Sequence, residues 1–182
     1  PANRSGQSPI DGFKRKSPRG FHIGLAHGSL DIGNFDVSRD FPITRKEIEQ
    51  TGLDYLALGH WHKSRFEKFG TTTVAYPGIP QPISWSDPEQ GKLLLVTIND
   101  GGKVEVVEEV VSTIKFMEIR AEICHHLEVR NLLENIGDPQ TIVKLTLAFS
   151  DNFNDTRKVD GYIEELSSRC LLVQSDKQVP EK

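Results

Sequence analysis

Two cysteines in 182 residues are too few for a disulfide framework or a thiolate zinc site. Cys124 and Cys170 are therefore expected to be free, buried thiols in a reducing, cytoplasmic setting. No apolar run approaches the ~20 residues that cross a bilayer, so no membrane association is expected. Pro1 to Pro9 lack the apolar core of a signal peptide and an initiating Met, and read like the middle of a loop. Positive charge is also in short supply. A net charge of -4 argues against a surface that grips nucleic acid throughout. The local basic cluster of Lys14, Arg15, Lys16 and Arg19 is expected to be a solvated loop. What remains, with 36% apolar residues and 15 glycines, suits a soluble globular protein rich in turns, as one large domain or two small ones.

Periodicity indicates an α+β chain. Phe21 to Ala26 reads as a short buried strand that delivers His27 at its end, and Gly28 to Asp40 as a loop. Thr44 followed by Glu47 is a capping box, with Ile43 and Ile48 placed as a hydrophobic staple and Gly52 as the stop. Leu53 to Leu58 is an apolar strand that ends at Gly59. Thr71 to Tyr76 is a further strand, running into a loop punctuated by Pro77, Gly78, Pro80 and Pro82. Lys92 to Ile98 and Lys103 to Val110 form a hairpin around Asn99-Asp100-Gly101-Gly102. Beyond Ser112 the character changes. Met117 to Ile123 alternate, Val129 to Ile136 follow helical spacing, Val143 to Phe149 alternate, Val159 to Leu166 are helical and Cys170 to Val173 extended. That βαβαβ pattern sets 113–182 apart from 1–112.

The candidate chemistry lies in three histidines, His27, His60 and His62. Imidazole is a common transition-metal ligand, and a His-x-His pair in extended backbone points both rings the same way. Three histidines are only part of a two-metal site, which also needs a bridging carboxylate. Of the other histidines, His22 is expected to be structural and His125-His126 a surface turn whose side chains diverge. Trp61 and Trp85 are candidates for base stacking or core packing.

The flanking residues carry a resemblance. Leu53-Asp54-Tyr55-Leu56-Ala57-Leu58-Gly59-His60-Trp61-His62-Lys63 is similar to the last metal motif of the calcineurin-like metallophosphoesterases. Tyr76 to Ser84 resembles the segment that follows it in the DNA repair exonuclease branch, SbcD-like and YhaO-like, and Gly24 to Leu30 resembles that family's preceding His motif. The resemblance covers residues 21 to about 98, and the βαβαβ tail looks like the capping domain of this branch. It implies part of a phosphoesterase β-sandwich followed by a cap. It also implies that His27 and His60 bind one metal and His62 the other, with manganese the commonest ion and zinc or iron as alternatives. The implied reaction is hydrolysis of DNA phosphodiester bonds by metal-activated water, with no covalent enzyme intermediate. A coiled-coil ATPase is an implied partner.

The family's Asp-x-His, Gly-Asp and Gly-Asn-His-Asp motifs, which supply the remaining ligands, are absent from this sequence. Gly33-Asn34-Phe35-Asp36 is only a chance likeness, because Phe replaces the His and the order is wrong. The chain is accordingly expected to be the C-terminal part of a longer protein, inactive by itself, whose 1–112 segment needs the N-terminal half or a homodimer partner to cover it. Two other functions stay open: a phosphoesterase acting on nucleotides, phosphomonoesters or phosphoproteins, and a non-catalytic assembly module with a decayed metal site.

Overall fold

The computed structural model describes residues 4–33, 36–87 and 90–178. They divide into two units, one of residues up to Pro80 with Gly91–Val111, the other of Gln81–Gln90 with Ser112 onward. Both Ser112 and the Gln81–Gln90 segment go with the second unit. Asn34 and Phe35, from the motif set aside above, lie outside the described residues.

In the first unit, strands β1 (Ile23–His27), β2 (Ser29–Asp31) and β3 (Pro42–Thr44) precede helix α1 (Arg45–Thr51). Seven residues are too few for a helix to stand by propensity alone, so its ends and one buried face must hold it. Both do. Thr44 Oγ1 accepts from the Glu47 amide at 3.2 Å, and the Glu47 carboxylate accepts from the Thr44 amide at 2.8 Å. Gly52 closes the helix at φ 65, where a Cβ would be strained, and Ile48 is fully buried.

Strands β4 (Tyr55–Gly59), β5 (Arg65–Phe69) and β6 (Thr72–Tyr76) join β1 in a sheet of order β1-β4-β6-β5. The β1–β4 and β4–β6 pairs are parallel, and β5–β6 is antiparallel. Alternation divides the two faces. Leu56, Leu58 and Val74 point into a core with Ile10, Leu30, Ile43, Ile48, Leu53, Phe69 and Tyr76. On the opposite face Ile23 is 56% and Leu25 76% exposed, so β1 is not the buried strand that its composition suggested. It is an edge strand, and among the described residues nothing covers its outer face. β5 was not legible beforehand because Arg65, Glu67 and Lys68 break any apolar pattern. The short parallel pair β2–β3 was hidden in what reads as a loop.

The hairpin forms as expected from β7 (Lys92–Ile98) and β8 (Val104–Val110). Asn99 Oδ1 shapes its turn, accepting from the amides of Gly101 at 3.1 Å and Lys103 at 2.9 Å.

The second unit runs β9 (Lys115–Ile123), α2 (His126–Leu133), β10 (Thr141–Phe149), α3 (Thr156–Ser167) and β11 (Leu172–Gln178). All three strands are parallel, in the order β11-β10-β9, and each helix is a crossover between neighbours. Val143, Leu145 and Leu147 are fully buried, in one core with Val129 and Leu133 of α2 and Val159 and Leu166 of α3. The other face is polar: Lys144 Nζ lies 3.1 Å from Glu118 on the neighbouring strand. Gln81 ties the 81–90 segment to this unit, accepting from the Thr113 amide at 3.1 Å and donating to the Ile114 carbonyl at 3.0 Å. Trp85 is half-buried on the polar face of the sheet, edge-on to Phe116 at 5.0 Å and with Lys144 Nζ over its ring at 5.7 Å, so it is packed by its neighbours but lies outside the core.

The fold class is α+β, compatible with part of a metallophosphoesterase-like fold. No helix among the described residues is long and apolar enough to cross a membrane. Both cysteines are free, but Cys124 is exposed and Cys170 only partly covered, so neither is the buried thiol expected. Cys124 lies beyond the end of β9, where the alternating burial of that strand has already stopped.

Candidate metal centre

Parallel pairing sets β1 and β4 in register so that His27 lies opposite Gly59. A Cβ at Gly59 would sit 2.9 Å from His27 Nδ1, so only glycine leaves room for the imidazole there. The next residue, His60, has φ 125, a conformation that a residue with a side chain rarely adopts. That turn brings His60 Nδ1 to 3.3 Å from His27 Nε2, with the two rings edge to face. Nitrogens bound tetrahedrally to one ion at ~2.0–2.1 Å stand about 3.3–3.4 Å apart, so this spacing suits a shared transition-metal ion as well as a shared proton. The donor set fits an N-ligated divalent metal.

A third residue holds this pair. Asp40 Oδ2 lies 2.9 Å from His60 Nε2, the ring nitrogen remote from His27. The Ser29 hydroxyl donates to the same oxygen at 2.7 Å. That hydroxyl is the main reason the Asp40 carboxyl titrates below its ordinary range; burial opposes the shift and His60 assists it. An ionised Asp40 would keep the proton of His60 on Nε2 and leave the Nδ1 lone pair facing His27, the usual second-shell arrangement of a ligating histidine. Sequence inspection missed Asp40, because nothing in its neighbourhood marks it and the partnership spans 20 positions.

Strand ends are braced from below. Tyr76 donates its hydroxyl to the Gly28 carbonyl at 2.6 Å and accepts from the Leu30 amide at 3.0 Å. Burial holds this phenol well above its ordinary pKa, although the Leu30 amide pulls the other way, so it remains a donor. Trp61 stacks on Tyr76 at 4.6 Å and packs against the core, which makes it structural. Gly78, at φ 79, leaves space for the carbonyl oxygen of His62, which a Cβ would meet at 2.6 Å.

The structure brings His27 and His60 together with Asp40. His62 is exposed on the same turn, two residues on. Among the described residues these three histidines do not converge within a single ligand group, and no bridging carboxylate stands between them. His22 was expected to be structural, and its backbone is tied to Asp54 while its buried ring Nδ1 makes no hydrogen bond. Its amide donates to Asp54 Oδ2 at 2.7 Å, and its carbonyl accepts from the Asp54 amide at 3.0 Å. Arg15 is not a solvated loop residue: it donates to both Asp54 oxygens, at 3.0 and 2.9 Å, and to the carbonyls of Ser17 and Gly20.

No protein-family model matches the chain. Among curated proteins it is similar to the uncharacterized metallophosphoesterase YhaO of Bacillus subtilis (strain 168), 32% identical over 89 residues. The matched stretch takes in 49% of this chain and 22% of that protein, so it spans about a fifth of the relative's length. The likeness supports the metallophosphoesterase superfamily, which implies divalent metal ions, and leaves the branch open.

Proposed function

We propose that this chain contributes part of the metal centre of a phosphodiesterase, with His27 and His60 on one divalent ion and His62 on a second. The close approach of His27 to His60, braced by Asp40, carries this reading. Paired ions in such a centre activate water and stabilise charge on a phosphoryl group. The protein's own residues position the ligands: Gly59 admits the His27 ring, the positive φ of His60 turns its Nδ1 inward, and Asp40 sets its tautomer. Manganese is the ion we propose, with zinc and iron as alternatives that imidazole also suits. DNA is the proposed substrate, within a cytoplasmic exonuclease that works with a coiled-coil ATPase. The second unit would act as its cap.

We further propose that the outer face of β1 is covered in the working protein by further strands of the same sandwich or by a second copy. Exposed Phe21, Ile23 and Leu25 on a free sheet edge support this.

The test is manganese-dependent hydrolysis of a chromogenic phosphodiester by the full gene product and by this chain. The full product is expected to cleave, and to lose ~100-fold or more on His60→Ala. This chain is expected to have little activity. Robust activity in the His60→Ala protein would overturn the assignment. Linear DNA set against cyclic nucleotides and phosphomonoesters then distinguishes the substrate class.

A further inference from the structure

The carboxyl edge of the second unit's sheet gathers three ligand-type side chains that the histidine centre does not use. β9 ends at Ile123 and its neighbour β10 at Phe149, and both turn directly toward helices. His125 and His126 come from the first of these turns and Asp155 from the second. In parallel α/β units ligands collect outside the carboxyl ends of the strands, where loops from neighbouring strands meet. One ligand atom from each of His125, His126 and Asp155 lies within 4.8 Å of the other two. The adjacent histidines were expected to diverge. They converge because His125 is an extended N-cap, φ -141 and ψ 142, whereas His126 is the first helical residue, which brings the ring centroids to 4.2 Å.

Two details separate this group from an ordinary surface cluster. Asp155 occupies the N-cap position of α3 but makes no side-chain cap hydrogen bond. An Asp there ordinarily accepts from the helix's own amides; this carboxylate is turned away from them. Its Oδ2 lies 2.8 Å from His126 Nδ1, an ion-pair contact too bent for a regular hydrogen bond. The imidazole is well held, only 12% exposed and near-parallel to the Tyr162 ring at 6.4 Å. Two polar atoms this close, not aligned for a hydrogen bond with each other, are disposed like ligands that share a point beside both. Tetrahedral ligands on one zinc ion at ~2.0–2.2 Å stand about 3.3–3.6 Å apart, so a small opening of this pair would admit the ion.

We propose that His125, His126 and Asp155 bind one divalent transition-metal ion of the zinc class, which clamps the β9–α2 and β10–α3 turns together. Two imidazoles and a carboxylate favour such an ion over magnesium or calcium. Exposed His125 leaves a side open where water completes the coordination. The ion has two modest opponents. Lys158 Nζ stands 3.4 Å from Asp155, a loose contact that a metal can displace. His125 also accepts from the Leu127 amide at 3.3 Å, a long cap that direct coordination can replace. The helix N-termini disfavour a cation only weakly compared with direct nitrogen and carboxylate bonds. This site stands or falls separately from the phosphoesterase reading.

The experiment is calorimetric titration with zinc chloride of the whole chain carrying His27→Ala, His60→Ala and His62→Ala. One ion per chain is expected, with no response to magnesium. Adding Asp155→Asn should weaken zinc binding at least about tenfold, and adding His126→Gln should abolish it. Zinc at ~100 times its Kd should raise the melting temperature by roughly 5–10 °C, and Asp155→Asn should remove that rise. If the triple variant does not fold, the otherwise unaltered chain serves, and Asp155→Asn must then lower the zinc stoichiometry by one. No zinc binding in the folded triple variant, or a stoichiometry and affinity unmoved by Asp155→Asn, overturns the proposal.

Discussion

The two units bury apolar residues of the same kinds, yet the second covers its central strand with two helices and the first leaves the outer face of β1 open. In the second unit helices α2 and α3 cover the apolar side of the central strand β10, while Glu118, Arg120 and Lys144 make the other side polar, and exposed apolar residues stand at the margins, at Met117 of β9 and Leu172 of β11. In the first, Ile23 and Leu25 stand on the outer face of the edge strand β1 at 56 and 76% exposure, with Phe21 just before it at 47%. A βαβαβ unit carries its own cover, because each crossover helix packs on the sheet it connects. A four-stranded sheet with one seven-residue helix does not. The candidate metal centre lies at the end of that less protected sheet.

The sharpest way to probe the contrast is at the two cores. Leu145→Ala and Leu56→Ala should each cost about 2–5 kcal/mol in their own unit, read as urea midpoints. If Leu56→Ala costs much less, the first unit is loosely packed by itself and the contrast deepens. Next is the brace on His60. Asp40→Asn should weaken manganese binding or manganese-dependent activity of the full gene product about 10–100-fold while leaving the fold intact. An unchanged protein would show that Asp40 is not a positioning residue.

A smaller effect is expected at Asp54. Burial raises its pKa, but the His22 amide and the Arg15 guanidinium more than offset this, so the folded value lies below the ordinary 3.8. The sign follows: its stabilisation is present above the unfolded value and is lost as pH falls through the folded one. Asp54→Asn should cost about 1–2 kcal/mol at pH 7 and flatten the stability profile below about pH 4. A profile as steep as wild type would sink this account. The smallest pair compares caps. Thr44→Ala should cost α1 about 1 kcal/mol, whereas Asp155→Ala, in metal-free protein, should cost α3 close to nothing because that carboxylate makes no cap bond. Equal losses would mean that Asp155 caps α3 in solution.

Much of the local structure was legible, for reasons that are themselves local. The Thr44–Glu47 box, the Gly52 stop, the Asn99–Gly102 turn and the alternation of Val143 to Phe149 each follow from backbone chemistry within a few residues. The partner of Arg15, 39 positions away at Asp54, has no local signature. Neither does strand β5, whose charged residues are held in place by pairing with β6. In the candidate centre, His27 and His60 stood out by residue type and by their place at strand ends. Asp40 did not, since an aspartate in a loop carries no mark of the ring it faces.

Residue order alone determined which segments are extended or helical and which side chains can ligate a metal, because propensity, capping and donor chemistry act over a turn or less. Only the tertiary structure decided which of those side chains meet. Parallel pairing of β1 with β4 put His27 across from the glycine that makes room for it, and a neighbouring turn supplied Asp40. At the carboxyl edge of the other sheet, strand pairing likewise drew Asp155 to a histidine pair some 30 residues earlier. Such convergence depends on register between distant segments, and the chain records it only through the packing that selects one register over the others.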